Sequence, residues 1–481
     1  MKATSLFGGV QFVQIIIQII RSKVVALLLG PTGMGLIQLF TTTVNLLGSL
    51  TNFGLGTSAV KDMAAADSSE NPTEVSRIST VLKKLIWATG LMGAILTIIL
   101  SPQLSELTFE NRQYTSAFIW LSISLLFNQL TSGQLAVLQG LRKLKLLAKA
   151  NLFGSFLGLL VTLPLYYYFE LDGIVPAIII TSLITLLASW YYSRQLKINS
   201  LSISLGDILL QGKEMLKMGF LISLTGLLTV AASYILRIYI TRVGGVDQVG
   251  LYGAGFAIIE SYVGLVFTAM SKDYYPRLSA VHTDNLKVKE IVNQQALLAL
   301  LILIPIILGF LIFSPYVVRL LYSSEFLPIT GMINWAILGI YFRAVSWSMG
   351  FVLLAKSDSK IFVKTAVGFN ALFLCLNIAG YYFGGLIGIG ISFLVNYIIH
   401  FIGLLLITKQ RYGFSFEYGF YKIMLAGGTL CAVGFLISGI SSPVWRYAFG
   451  IVLIGVGSVF SYVELNKKLN IKQLINAFRK K

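Results

Sequence analysis

The sequence predicts an all-α polytopic membrane protein with fourteen transmembrane helices, and two observations support this fold class. The first is composition: 56% of the 481 residues are hydrophobic and only 12% are charged, about half the charged share of a soluble domain. The second is patterning, because apolar windows of the ~20 residues that a membrane helix needs follow one another along almost the whole chain. A soluble enzyme is therefore excluded. A disulfide framework is excluded as well, since Cys375 and Cys431 both lie in apolar runs.

Each predicted span is a separate apolar window. The windows lie at 4–29, 34–60, 80–101, 113–140, 147–169, 173–195, 217–242, 249–271, 291–313, 329–355, 362–383, 386–408, 419–439 and 443–464. The first window is too long for a signal peptide, carries Arg21 and Lys23, and lacks a small-residue cleavage site. It is therefore counted as a membrane helix.

The distribution of basic residues predicts the orientation. The chain holds 37 Lys and Arg against 19 Asp and Glu, and positively charged loops stay in the cytoplasm. With the N-terminus inside, most of the basic residues fall in cytoplasmic loops and tails, and the opposite side keeps only Arg112, Arg242, Arg319 and Arg446. Both termini are thus expected in the cytoplasm. The net charge of +18 is therefore explained mainly by the basic residues that mark the cytoplasmic side, and a nucleic-acid partner is not expected.

An internal repeat relates the two halves of the chain at a constant shift of 215 residues. Matching pairs include Gly35-Leu36 with Gly250-Leu251, Trp120 with Trp335, Lys145 and Lys149 with Lys360 and Lys364, and Tyr166-Tyr167 with Tyr381-Tyr382. Each copy contains six spans, an even number, so the two copies share one orientation and form parallel repeats.

The repeat predicts the domain organisation. The expected parts are an N-terminal six-helix lobe at 1–204, an amphipathic cytoplasmic linker helix at 205–216, a C-terminal six-helix lobe at 217–411, two further transmembrane helices at 412–465 and a basic cytoplasmic tail at 466–481. Two parallel bundles can enclose a central cavity and expose it to either side in turn. This arrangement favours transport, although duplicated bundles that only pack well remain the alternative.

Two arginines within the spans are the first candidate substrate ligands. A charged side chain near the bilayer centre costs about 2.5–3.5 kcal/mol even on the lenient insertion scale, so it should face protein or water. Gln14, Gln18 and Arg21 share one face of the first span, and Arg237 lies at almost the same place in the second repeat. Two guanidiniums suit phosphate oxygens, which predicts a shared anion site. The alternative is that both side chains snorkel toward the interface.

The same shift pairs Asn45 with Glu260 and Asn128 with Arg343, all near the middle of their spans. Glu260 is the one acidic residue deep within a predicted span. A lone intramembrane carboxylate must be paired or protonated, so we predict a gate or an ion-coupling site at Glu260 and Arg343. A purely structural ion pair is the alternative. No Walker sequence, metal-spaced Cys/His cluster or nucleophile elbow occurs, so no cofactor, metal or catalytic residue is expected.

Several loop motifs resemble a known family. They are Leu29-Gly30-Pro31-Thr32-Gly33-Met34-Gly35-Leu36, Asn52-Phe53-Gly54-Leu55-Gly56 leading to Lys61-Asp62, Gln139-Gly140-Leu141-Arg142, and Tyr275-Pro276-Arg277-Leu278-Ser279. Together with the spans and the repeats, they resemble the Wzx O-antigen flippases of the multidrug/oligosaccharidyl-lipid/polysaccharide (MOP) exporter superfamily, over roughly residues 1–465.

That resemblance implies a function in the bacterial inner membrane. The expected activity is translocation of an undecaprenyl-pyrophosphate-linked oligosaccharide from the cytoplasmic to the periplasmic leaflet by alternating access. The anionic head would lie in a cationic cavity, which Arg21, Arg237 and Arg343 fit, and the lipid tail would stay among the membrane lipids. Coupling to a proton or sodium gradient, and cooperation with a polysaccharide polymerase and chain-length machinery, belong to the same expectation.

Two other functions remain open from the sequence. A cation-coupled multidrug exporter of the same superfamily would need an acidic and aromatic cavity, whereas this one is mainly basic. A polysaccharide polymerase or lipid-dependent glycosyltransferase would need acidic catalytic residues or large outer loops. The short predicted outer loop at Pro31-Thr32-Gly33 offers neither.

Overall fold

The computed structural model describes residues 2–69, 71–196, 198–199 and 201–469, and these are almost entirely helical, with no β-strand among them. The α-helices of this described part are α1 (Lys2–Leu28), α2 (Gly30–Asn52), α3 (Leu55–Ser68), α4 (Pro72–Phe109), α5 (Thr115–Gly140), α6 (Leu144–Phe169), α7 (Ile174–Ser193), α8 (Leu205–Gly244), α9 (Val246–Ala257), α10 (Gly264–Ala280), α11 (Asn285–Leu321), α12 (Thr330–Ala355), α13 (Ser359–Tyr412), α14 (Tyr418–Ser438) and α15 (Pro443–Leu469). A six-residue π-helix, Ile258–Val263, joins α9 to α10.

Ten helical segments of the described chain are long and apolar enough to cross a membrane, which makes this a multi-pass membrane protein. Two of them, Leu144–Leu196 with 53 residues and Ser359–Tyr412 with 54, are each long enough for two crossings, since one crossing needs ~20 residues. The second is broken by non-helical backbone at Gly384 and Gly385. The count of fourteen spans and the parallel repeat stay predictions.

Local sequence signals explain where several helices begin. Asn71 precedes α4 and accepts hydrogen bonds from the backbone N–H groups of Thr73 and Glu74, each at 3.1 Å. Ser204 caps α8 in the same way through the N–H of Asp207, at 3.2 Å. These side chains satisfy N–H groups that have no partner within the first turn of a helix.

The second predicted span, 34–60, is not one helix. α2 ends at Asn52, where Phe53 and Gly54 adopt left-handed conformations with φ of 49° and 66°, and a separate helix, α3, follows. Glycine adopts positive φ without steric cost, so Gly54 permits the chain to turn there although the apolar pattern continues through it.

Residues 205–216 form the first turns of α8, which runs without a break to Gly244. Their apolar side is covered by protein: Ile208 and Met215 are buried in a core cluster with Leu55, Met63 and Val81. The hydrophobic stripe that predicts an amphipathic helix here therefore packs on α3 and α4.

The chain divides into two compact units. The first comprises Met1–Leu251 with the short segment Leu321–Glu325, and so contains α1 to α8. The second comprises Tyr252–Leu320 with Phe326–Lys481. Its core is a large apolar cluster in which α11 and α12 contribute many fully buried residues, among them Leu300, Ile304, Ile337 and Ile340. The lobe, linker and tail boundaries predicted above stay predictions.

Candidate functional site: charged and polar groups within the spans

The second unit contains a two-pronged ion pair between Glu260 and Arg343. One guanidinium nitrogen of Arg343 lies 2.5 Å from Glu260 Oε1 and the other lies 3.0 Å from Oε2. Glu260 is part of the π-helix between α9 and α10, and Arg343 is in the middle of α12. The two predicted partners are thus brought together, in the fork geometry that makes Arg–carboxylate pairs strong.

Two aromatic rings flank the guanidinium of this pair. The Arg343 guanidinium carbon lies 5.4 Å from the ring centroids of both Phe267 and Tyr397, within the range of cation–π attraction. The Arg343 side chain is 20% exposed, whereas that of Glu260 is 47% exposed. The carboxylate is therefore the more exposed member of the pair. A π-helical turn often marks a functional position.

Sequence reasoning did not find the neighbours of this pair. Tyr397 and His400 lie one turn apart on α13, with ring centroids 5.9 Å apart, and the His400 ring also packs 4.3 Å from Phe369. The residues 215 positions before Tyr397 and His400 are Ser182 and Thr185, which carry no charge, so the predicted repeat could not single them out. Among the described residues, no group of His, Cys, Asp and Glu is arranged to hold a metal ion.

Arg21 lies in the first unit, half-buried in α1. It makes no ion pair with any described acidic residue. The nearby group is the Tyr166 hydroxyl of α6, on which the guanidinium acts electrostatically. That hydroxyl is buried and can engage only some of the five N–H donors of the guanidinium. Arg21 therefore retains donors for an anion.

Arg237 has a different environment on α8. Its guanidinium donates to the Ser233 backbone carbonyl at 3.1 Å and also to the Ser233 hydroxyl, one helical turn away. The side chain thus bonds to its own helix, while Arg21 faces α6. A pyrophosphate site shared by Arg21 and Arg237 stays a proposal.

Other predicted polar residues are exposed at the middle of their helices. Gln18 of α1, Asn45 of α2 and Asn128 of α5 are all exposed, and Gln14 is half-buried. α2 and α5 are adjacent, because Gln129 donates a hydrogen bond to the Gly48 carbonyl at 2.8 Å. Exposed amides in a membrane span are costly against lipid, so if the predicted spans cross the membrane, this surface suits contact with water or a polar ligand.

Within the first unit, two segments that are 215 residues apart contact each other reciprocally. A side chain at Gly35 would overlap the Val246 carbonyl oxygen, and one at Gly250 would overlap the Pro31 carbonyl oxygen. Thr32 Oγ1 donates to Asp247 Oδ1 at 2.5 Å. Gly35 thus contacts the residue four positions before Gly250, and Gly250 contacts the residue four positions before Gly35. Such reciprocity is the pattern of a two-fold contact. We call this contact the Gly35–Gly250 seam.

A second close approach joins α8 to the turn between α2 and α3. A side chain at Gly54 would overlap the Gly219 carbonyl oxygen, and one at Gly219 would overlap the Phe53 carbonyl oxygen. The rings of Phe53 and Phe220 lie 6.5 Å apart beside it. The turn and α8 are thus held backbone to backbone, and we call this contact the Gly54–Gly219 seam.

Known proteins resemble this chain in sequence. Residues 24–331 match a family described as polysaccharide biosynthesis protein. A Shigella flexneri protein named as a candidate O-antigen transporter is 25% identical over 392 residues, 77% of this chain and 88% of that protein. The lipid III flippase of Escherichia coli K12 is 20% identical over 405 residues, 81% of this chain and 94% of that protein.

Solved structures share the fold. The lipid II flippase MurJ in an inward closed conformation superposes with a TM-score of 0.73 at 14% identity, covering 96% of this chain and 99% of that one. An inward-facing multidrug resistance transporter of the MATE family, in the MOP superfamily, gives a TM-score of 0.67 at 16% identity, covering 85% and 96%.

Proposed function

Because this chain belongs to the polysaccharide biosynthesis protein family, which its residues 24–331 match, we propose that it is a flippase for a lipid-linked oligosaccharide. The resemblance to Wzx-type flippases indicated by the loop motifs is confirmed by the family match and the two curated relatives. We further propose that the carrier is undecaprenyl pyrophosphate and that the cargo crosses from the cytoplasmic to the periplasmic leaflet of a bacterial inner membrane.

One structural observation carries the proposal: Arg21, in the first predicted span, is a cation that no described acidic residue neutralises. Such a charge is costly in lipid, and an anion that binds there lowers the cost. The exposed Gln18, Asn45 and Asn128 supply the hydrogen-bonding surface that a sugar head group needs. Arg237 adds a second cation, and fourteen spans in two parallel repeats are part of the same proposal.

Alternating access is the proposed mechanism. In that cycle the Gly35–Gly250 seam is the closed side, with the predicted topology placing it at the periplasmic face. Release of the head group then requires Pro31 and Val246 to move away from Gly250 and Gly35. The proposed role of Glu260 and Arg343 is to gate this movement or to couple it to a proton or sodium gradient.

The experiment is transport in proteoliposomes that hold the purified full chain and a fluorescent lipid-linked oligosaccharide. We expect the labelled lipid to cross to the opposite leaflet, where an added glycosidase can act on it, at a rate that depends on the protein. Label that stays on its original leaflet contradicts the proposal. Chain extension or sugar transfer in the same vesicles contradicts it in favour of an enzyme.

Multidrug export is the competing function. Because the fold resembles that of MATE transporters, a second experiment tests it. An organic cation needs an available carboxylate, but Glu260 is engaged by Arg343 through both oxygens. We therefore expect no change in resistance to cationic drugs when the protein is expressed. Broad resistance would favour the exporter.

A further inference from the structure

A groove between α1 and α6 of the first unit begins about one helical turn from Arg21. It has a volume of about 430 Å³, within the ~300–1,000 Å³ of small-molecule pockets. Its lining is almost wholly carbon and comprises Val24, Leu27, Leu28, Leu163, Pro164 and Tyr167. We call it the α1–α6 groove.

The groove has a polar end. Val24 and Leu28 follow Arg21 by three and seven residues on α1, so all three share one face of the helix. On α6, Leu163 and Tyr166 are likewise one turn apart. The Tyr166 hydroxyl is buried and lies beside the Arg21 guanidinium. An anionic oxygen placed there accepts from both groups.

The spacing of charge and hydrocarbon restricts the ligand. Three residues of α-helix rise only ~4.5 Å, so apolar lining begins directly beside the guanidinium. In a phosphoglyceride, a polar glycerol ester separates the phosphate from its acyl chains, and the lining of the groove presents almost no polar surface to those ester oxygens. In an isoprenoid diphosphate, the hydrocarbon is attached directly to the phosphate.

We infer that the α1–α6 groove binds the first isoprene units of an isoprenoid diphosphate lipid, with the adjoining phosphate held by Arg21 and the Tyr166 hydroxyl. This inference rests on the proposed function and names the part of the substrate that this chain recognises apart from the sugar. It also gives α6 a direct role in binding.

The test uses the purified full chain in phosphatidylcholine nanodiscs and a polyprenyl diphosphate that carries a diazirine on its second isoprene unit. After irradiation, we expect adducts on α1 and α6 at the groove residues. Unlabelled polyprenyl diphosphate should prevent labelling, and phosphatidylglycerol at the same concentration should not. Equal protection by phosphatidylglycerol would overturn the inference, because the groove would then hold bulk lipid.

A matched pair of tryptophan substitutions on α6 tests the location. Leu163→Trp fills the groove, whereas Leu160→Trp changes a residue that is 48% exposed on the same helix and does not line it. We expect Leu163→Trp to lower labelling about tenfold, the effect of losing ~1.4 kcal/mol of binding, and Leu160→Trp to leave it unchanged. Equal labelling of both variants overturns the location.

The polar end has its own test. Tyr166→Phe keeps the ring and removes the hydroxyl, and a hydrogen bond to a charged group is worth roughly tenfold in affinity. We expect weaker competition by polyprenyl diphosphate and unchanged competition by uncharged polyprenol. Weakening of both to the same degree would mean a packing defect and would overturn the role of Tyr166.

Transport of the lipid-linked oligosaccharide by the same variants separates this inference from the proposed function. If the wild-type protein transports the substrate, and Leu163→Trp changes neither transport nor labelling, the groove inference is overturned and the flippase proposal stands. Specific labelling of the groove without any wild-type flux supports the groove and overturns the flippase proposal.

Discussion

The two units present arginine in opposite electrostatic settings. Arg343 of the second unit is neutralised by both oxygens of Glu260 and is flanked by Phe267 and Tyr397. Arg21 of the first unit has no described acidic partner, and a tyrosine hydroxyl is its polar neighbour. The same residue type can therefore serve two purposes: an unneutralised guanidinium attracts an anionic ligand, while a paired one stores a charge interaction that a proton can release.

The largest effect is expected at Arg21. Arg21→Ala removes the anion ligand and leaves no acidic partner unpaired, so we predict a roughly 100-fold loss of flux, the equivalent of two charge-assisted hydrogen bonds. Flux of the fluorescent lipid-linked oligosaccharide in proteoliposomes is the measurement. Arg21→Lys keeps the charge without the fork and should fall between alanine and wild type.

The assignment of Arg21 as the anion ligand would be contradicted if Arg21→Ala kept its flux while Arg343→Ala, at an equal protein level, lost its flux. The paired arginine would then be the anion ligand. Adding Arg237→Ala to Arg21→Ala shows whether the second arginine of the first unit contributes, because a further loss requires that both bind the substrate.

A disulfide across the Gly35–Gly250 seam tests whether the first unit must open. Thr32 and Asp247 are in direct contact, so Thr32→Cys with Asp247→Cys should form a crosslink on mild oxidation, in a background that carries Cys375→Ser and Cys431→Ala. We expect flux to fall to background when the seam is crosslinked and to return on reduction.

The matched control is a crosslink that the cycle does not need to break. Gln134 of α5 and Ser189 of α7 are hydrogen-bonded at 2.5 Å within the first unit, and cysteines at both positions should leave flux unchanged after oxidation. Full transport by a protein that is crosslinked between positions 32 and 247 would remove the seam from the mechanism.

The Glu260–Arg343 pair should have an intermediate effect. Glu260→Gln leaves the guanidinium without its counter-charge, and we expect flux that no longer responds to an imposed proton or sodium gradient. Stability is measured in parallel by thermal unfolding of Glu260→Gln, Arg343→Gln and the double variant. Because the Glu260 side chain is 47% exposed, the coupling free energy should be only about 1 kcal/mol.

The two readouts distinguish a working pair from a structural one. A gradient response that is retained in Glu260→Gln, together with a measurable coupling free energy, would assign the pair to stability alone. The contrast between the two units would then be one of packing, and a gradient would have to act through some other group.

Sequence reasoning reached the fold class and the ion pair but not the boundaries of two elements. Glu260 and Arg343 were identifiable because charges deep in apolar windows are rare. The break after Asn52 was missed because hydropathy averages over the left-handed residues Phe53 and Gly54. Residues 205–216 were expected to be a separate helix, since periodicity reveals an apolar face but not the α3 and α4 side chains that cover it.

The α1–α6 groove was beyond prediction for the same reason. Val24 and Leu163 are ordinary apolar residues in their own windows, and only the packing of two helices makes them neighbours. Tyr166 matched Tyr381 in the repeat, but a pairwise match carries no information about burial or about the direction of a hydroxyl. Contacts between distant apolar faces are tertiary facts that single-chain patterns do not encode.

The smallest effect is expected at the exposed amides of the first unit. If Asn128 faces water, Asn128→Cys in the same cysteine-substituted background should react with a membrane-impermeant thiol reagent. Ser124→Cys, one turn away on α5 and fully buried, should stay protected. Flux of Asn128→Ala should fall by no more than about threefold, since one neutral hydrogen bond contributes ~1 kcal/mol or less. Protection of both cysteines would mean that Asn128 is covered by lipid, and the polar surface of the first unit would then be reduced to Arg21 and its immediate neighbours.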